Sequence, residues 1–211
     1  MTLGSKVVHQ FRREAEAAYQ RAEEALILSK EHNFTYYLGW AMIIRGWSLS
    51  VQGDGKEGAI DIHQGLEMLL NTGAKRSVPY YLSLLAEVYG INGQAEEALQ
   101  TISEAFKEAQ NIGEHWWEAE LFRLKGELLL KQSNSNANQA EKSLHTAIDV
   151  ARRQNSISLE LRATISLCRL KQQLEINNHA HQLLVDVYNR FTEGFDTPDL
   201  KEAKDLINEL A

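Results

Sequence analysis

The sequence predicts an all-α fold: a right-handed α-α superhelix of repeated helix pairs, closed by a C-terminal capping helix. Three observations predict it. Small residues recur at a 40-residue interval, Gly46, Ala86, Gly126 and Ser166, each inside an apolar run of helical character. A second series, Ala25, Gly65, Ala105, Ala147 and Val187, keeps the same interval except for one step of 42. Strand signals are absent, since Val/Ile/Thr alternation never persists, and only 2 prolines in 211 residues leave room for long helices. Self-similarity at such a period marks a helical solenoid, in which each repeat packs on its neighbours. A glycine such as Gly126 inside an apolar run is expected at a close helix crossing. Axes 8–10 Å apart leave space there for nothing larger than a methyl, so the position should take Ala but not Leu.

The whole chain, residues 1–211, reads as one array. Residues 1–5 are expected to lie outside the fold. Residues 6–32 read as the second helix of a truncated repeat, with Ala18, Ala22, Ala25 and Leu26 in one stripe. Its first helix is expected to be missing or cut short, which suggests a piece of something longer. Asn33 ends that helix or caps the next. The pair 34–73 turns at Gly53-Asp54-Gly55 and ends at Gly73, a residue suited to a left-handed C-terminal cap. The pair 74–113 repeats this, with its turn at Ile91-Asn92-Gly93. The pair 114–155 contains the longer polar turn SNSNAN, which accounts for the step of 42. The pair 156–193 turns at Glu175–Asn178, and Gly194 closes its second helix. Pro198 at a first helical position, followed by Asp199, opens the last helix, 197–211. Its apolar face of Leu200, Ala203, Leu206, Ile207 and Leu210 suits a cap on the end of the stack.

The spacing of small residues resembles the tetratricopeptide pattern. Gly46, Ala86, Gly126 and Ser166 fall in the first helices, Gly53 and Gly93 in the turns. Gly58, Ala98, Ala140, Ala180, Gly65, Ala105 and Ala147 fall in the second helices. Two departures stand out: Arg45 and Lys125 replace the usual Leu before the small residue, and the period is 40 rather than 34, about one and a half extra turns per pair. The strings RGWSLSVQG, GEHWWEAELFRLKGELLL, SLELRATISLCRL and FTEGFDTPDLKEA resemble the C-terminal repeat region of large bacterial signalling proteins. Those carry an N-terminal adenylate/guanylate cyclase or winged-helix regulator domain and an NTP-hydrolysing switch domain. The resemblance, from about residue 12 to 211, implies a sensor or scaffolding arm, and none of the catalytic motifs of the other domains stands in this chain.

Composition narrows the function. Net charge is −7 and the pI near 5.5, so the basic footprint expected of a nucleic-acid or anionic-lipid binder is missing. No apolar run approaches the roughly 20 residues that cross a bilayer, and the N-terminus turns charged too early for a secretory signal. A single cysteine, Cys168, fits a reducing cytoplasm; within an apolar helix it is expected to be buried and inert. Gly53-Asp54-Gly55-Lys56 lacks the glycine, the Ser/Thr and the preceding strand of a phosphate loop, and reads as an interhelical turn. His179 and His181, with His145, offer two imidazoles of diverging direction and no completing thiolate or carboxylate pair, so they read as exposed helix residues rather than metal ligands. His115 reads as a helix-start residue rather than a base. No cofactor and no enzymatic activity are expected, because no convergent polar cluster can be assembled.

What remains is a binding surface. In tetratricopeptide stacks the first helices line a concave groove. Here those positions would be Trp40, Ile43, Trp47, Tyr80, Ser83, Glu87, Glu120, Arg123, Glu127 and Lys131. Trp40 and Trp47 are core by the ordinary reading of an aromatic stripe. Gly46 at the crossing would instead turn Trp47 toward an accessible groove. Trp116 and Trp117, aligned with Tyr36 and Tyr37, are expected to pack between repeats. The expected occupant is a protein or peptide segment, an extended stretch or short helix with an apolar anchor and basic residues, with other domains of the same parent chain as one source. Two other classes stay open: a small-molecule sensor with an aromatic groove, and a self-association module forming a homodimer.

Overall fold

The computed structural model describes residues 5–175 and 180–210, with side chains from Val8 onward. The expectations placed on residues 1–4, on His179 and on most of the turn after Glu175 lie outside them. Among the described residues the chain is all-α, without strands, and separates into two compact units, Met1–Glu114 and His115–Ala211.

The first unit holds α1 (Ser5–Phe11), α2 (Ala15–Glu31), α3 (Thr35–Val51), α4 (Gly55–Asn71), α5 (Val78–Ile91) and α6 (Ala95–Ile112). Each helix packs on the next in order up to α6, and α3 also touches both α1 and α5. The expected single helix over 6–32 is two helices. Arg13, at φ 58°, breaks it with a left-handed residue, and α1 is a short first helix preceding α2.

The α3–α4 crossing shows why glycine recurs. A Cβ on Gly46 would lie 2.4 Å from the Gly58 carbonyl oxygen, and one on Gly65 would lie 2.4 Å from that of Gly39. The contact is backbone to backbone at two levels, so glycine is needed on both helices. Arg45, one of the departures from the repeat pattern, is held beside this crossing. Its guanidinium donates to both carboxylate oxygens of buried Asp61, at 2.6 and 2.9 Å, and to Glu23 at 3.0 Å. The hydrogen bonds to Asp61, ahead of the opposing cost of burial, hold Arg45 firmly charged.

The second unit holds α7 (Glu118–Gln132), a 3₁₀ turn (Asn134–Asn136), α8 (Ala137–Arg153), α9 (Ile157–Gln173), α10 (Ala180–Tyr188) and α11 (Pro198–Glu209). The crossing at Gly126 is softer than the one at Gly46. A Cβ there would meet side-chain atoms of Leu144 at 2.8 and 2.9 Å before any backbone atom. The position is expected to take Ala but not Leu, and here even a methyl requires buried Leu144 to shift. Helix α11 is the capping helix that the sequence announced: Pro198 opens it, Leu200, Ala203 and Leu206 are buried, and it packs on α9 and α10. Helix α10 ends at Tyr188, earlier than the closure expected at Gly194.

A left-handed residue punctuates the chain within both units. Arg13, Gly53, Gly93 and Glu175 adopt positive φ inside pairs, and Asn33, Gly73, Gly113, Asn155 and Gly194 do so between pairs. The pair α7–α8 instead uses the 3₁₀ turn, where the two additional residues lie.

Candidate functional site

The ten positions expected to line a groove fall six in the first unit and four in the second, and each set forms its own cluster. In the first unit the cluster closes on itself. Trp47 is 0% exposed, and Trp40, Ile43, Tyr80 and Ser83 are buried too. The expected accessible Trp47 is thus corrected. Its indole Nε1 donates to Glu87 Oε2 at 3.0 Å. The Arg13 guanidinium sits 5.8 Å above the ring and pairs with the other carboxylate oxygen of Glu87. Beside it the Tyr80 hydroxyl donates to Gln10 Oε1 at 2.7 Å, and Phe11 meets the Tyr80 ring edge-on at 5.5 Å. Gln10 and Phe11 in the last turn of α1, with Arg13, cover Tyr80 and Trp47 and so occupy the position anticipated for a ligand, whereas Ile43 packs toward Gly65 on α4.

In the second unit the cluster is ionic. Arg123 on α7 bridges buried Glu120 through two hydrogen bonds, at 3.0 and 2.7 Å, and reaches Glu127 at 2.6 Å. The Ser166 hydroxyl on α9 donates to the same Glu127 oxygen at 2.6 Å. Arg162, also on α9, lies 3.9 Å from Glu120 and donates to Asp199 of the capping helix at 2.7 Å. Each buried charge therefore faces an opposite charge, the condition under which burial is tolerated. Glu127 is only partly covered and Lys131 is exposed, so the solvent edge of this row carries both signs.

Sequence reasoning passed over Gln10, Arg13, Arg162 and Asp199. The signal for Gln10 was available, because it stands one 40-residue interval before Ser50, a buried position on a first helix. Arg162 and Asp199 carry no comparable periodic signal, because their pairing joins a first helix to the cap.

The remaining candidates fall as follows. Cys168 is buried with its Sγ 3.1 Å from the Ala180 carbonyl oxygen, and burial pushes the thiol up to about 12. His145 is exposed beside Glu141, and His181 Nε2 lies 3.3 Å from the Ile207 carbonyl oxygen. Trp117 is buried, while its neighbour Trp116, whose ring is tilted 55° against it, is exposed. Phe34, Tyr36 and Tyr37 form an exposed aromatic group with His32 at the α2–α3 turn. Among the described residues no helix is long and apolar enough to cross a membrane.

Comparison with known proteins adds a family and a fold. The sequence model of the family described as anaphase-promoting complex subunit 5 matches residues 1–50, 56–116 and 126–209, which is most of the chain. An uncharacterised protein of Rhizobium meliloti, R02095, is 26% identical over 142 residues; the match takes in 67% of this chain and 14% of that protein, so the chain spans about a seventh of this curated relative. Among solved structures, Bacillus thuringiensis PlcR in complex with the peptide PapR7 and DNA superposes with a TM-score of 0.70 at 14% identity, covering 98% of this chain and 68% of PlcR. BtubC from P. vanneervenii gives 0.62, also at 14% identity, over 95% of this chain and 89% of its own. Both likenesses are of fold.

Proposed function

We propose, proceeding from the fact that the chain belongs to the anaphase-promoting complex subunit 5 family, that it is a non-enzymatic module that binds a peptide or protein segment and regulates a larger signalling protein. The observation that carries this reading is the helix-pair array itself. Its fold is shared, over 98% of the chain, with a protein whose crystal structure contains a peptide. Both signs of charge stand at the solvent edge of α7, on Glu127 and Lys131, which suits a peptide bearing complementary charges. The PlcR complex also contains DNA, so the fold by itself does not separate the two ligands. The net charge of −7 favours the peptide, because a binder of phosphates needs basic groups.

The parent in this reading is a long cytoplasmic chain whose other domains include a cyclase or an NTP-hydrolysing switch. The resemblance of the four strings above supports it, as does the length of the Rhizobium relative. The open reading frame upstream of Met1 tests it: a frame encoding neither kind of domain overturns the parent assignment.

Binding itself is tested by selecting peptides from a displayed library against the immobilised chain. Selected peptides are expected to bind with micromolar Kd in calorimetry. Replacing Glu127 and Lys131 together by Ala should weaken them about tenfold, a loss of roughly 1.4 kcal/mol. Enrichment no better than on a heat-unfolded control overturns the reading, and tighter binding to duplex DNA than to any peptide transfers it to nucleic acid.

A further inference from the structure

The repeat supplies its own control for what ought to be covered. Val8, Ser48, Val88 and Leu128 occupy one register position at intervals of 40. Ser48 and Val88 are 0% exposed and Leu128 is 2% exposed, whereas Val8 is 46% exposed. Leu28 stands one interval before Met68. Met68 packs under the first half of α3, where a Cβ on Gly39 would lie 3.0 Å from its own Cβ. Leu28 is 49% exposed.

Both exposures have one geometric source. Within the first unit α3 packs on α2, and α5 on α4, so each first helix rests on the second helix of the pair before it. Among the described residues α1 has no such helix before it. Ser5 is at the register position of Arg45, and the residue that would meet Leu28 as Gly39 meets Met68 falls ahead of Met1. Helix α11 by contrast buries Leu200, Ala203 and Leu206 and presents only polar residues, among them Lys201, Glu202, Lys204, Asp205 and Glu209, on its exposed positions.

We propose that the face bearing Val8 and Leu28 is a docking surface for a further helix pair of the same type, supplied in cis by a longer parent chain. Its second helix lies against Val8 as α2 lies along α3, and its continuation into the upstream half of α1 places a small residue over Leu28. The inference rests on the longer-parent part of the proposed function and is independent of what the array binds. The curated relative, of which this chain covers 14%, has ample length for such pairs.

The test uses the chain's own sequence as the probe. Residues 15–44 are duplicated directly before Ser5, which supplies a copy of α2, its turn and the upstream half of a first helix in register. The expected result is a rise in Tm of roughly 5 °C with slowed amide exchange over residues 24–31. Val8→Glu with Leu28→Glu should abolish the gain in the extended chain and move the Tm of the original chain by no more than about 1 °C. An extended chain with unchanged Tm and exchange overturns the proposal. A stable dimer of the original chain that Leu28→Glu converts to a monomer also overturns it, in favour of a second copy as occupant. Peptide selection on the original chain reads the other claim separately.

Discussion

The Arg13 guanidinium lies over the buried indole of Trp47, with Glu87 accepting from both groups. Trp47→Ala removes a fully buried aromatic and leaves Glu87 without one of its donors. It should therefore cost about 3–5 kcal/mol, as for a core Trp, measured by urea denaturation. A loss below about 1 kcal/mol would show that the site relaxes around the cavity. The glycines give a graded comparison. Gly46→Ala drives a methyl into a carbonyl oxygen, which a backbone must move to relieve, whereas at Gly126 the obstacle is the Leu144 side chain. Overpacking of about 1–3 kcal/mol is expected at Gly46. The roughly 1 kcal/mol helix-propensity gain of Ala over Gly applies at both sites, so the difference comes from the obstacle, and Gly126→Ala should melt distinctly higher than Gly46→Ala. Cys168 provides a pH readout. Its thiol is raised from 9.0 to about 12 by burial, so the folded state disfavours the thiolate. The resulting stability is complete below pH 9 and declines as pH rises from 9 toward 12. Labelling by an aromatic disulfide at pH 8 should be negligible until the chain is unfolded.

Among the elements, α11 and the α8–α9 contact carry predictions of their own. Removing residues 197–211 uncovers the apolar surface under Leu200, Ala203 and Leu206 and takes Asp199 away from buried Arg162. Amide exchange over α9 should accelerate by an order of magnitude or more, since apolar surface is uncovered and a buried charge loses one of its partners; unchanged exchange there would mean that α11 is not a cap. Lys171 on α9 donates to Glu141 on α8 at 2.5 Å, and this hydrogen bond holds the Glu141 carboxyl below its ordinary value of 4.5. For a carboxyl lowered in this way the stabilisation is present above pH 4.5 and fades as pH falls through the depressed value. Lys171→Met should accordingly lower stability above pH 4.5, neutrality included, and flatten the acid limb, so that the two curves converge as pH falls well below 4.5. The helices themselves were legible in the sequence, because apolar periodicity and the Gly and Pro punctuation act locally. The break at Arg13 was not, since a left-handed arginine gives no compositional sign of itself.

For the chain as a whole, the 40-residue interval disclosed the pairs, their order and the cap, because every copy repeats the same steric demand at its crossing. What it hid was the fate of the first-helix faces. Gln10 and Arg13 reach Tyr80 and Glu87 across 70 and 74 residues of sequence, and such contacts follow from how successive pairs curve, which no single repeat encodes. The charged row Glu120, Arg123 and Glu127 was visible as residues, but its pairing with Arg162 and the hydrogen bond from Ser166 to Glu127 were not. The one irregular turn offers a check on the register. Deleting Asn134 and Ser135, both exposed in the 3₁₀ turn, restores the interval of 40. It should lower Tm by only a few degrees. Deleting Leu128 and Leu129, both buried in α7, should abolish cooperative unfolding.

The left-handed residues at the turns have a consequence beyond geometry. Glu175 holds a positive φ that costs an L-residue roughly 1–2 kcal/mol, whereas Asn33 and Asn155 adopt it more readily. Glu175→Gly should thus raise stability by about 1 kcal/mol, less the flexibility glycine adds to the unfolded chain, and by more than Asn155→Gly does; equal gains at the two sites would show that backbone strain is not the source. A turn set by the φ of one residue reverses the chain without borrowing a partner from elsewhere. Each helix pair is consequently a cassette that ends itself. Splicing a pair in or out would leave the turns of the remaining pairs intact, while contacts shared between pairs, such as those of Arg13 and Glu87 with Trp47, would have to be rebuilt.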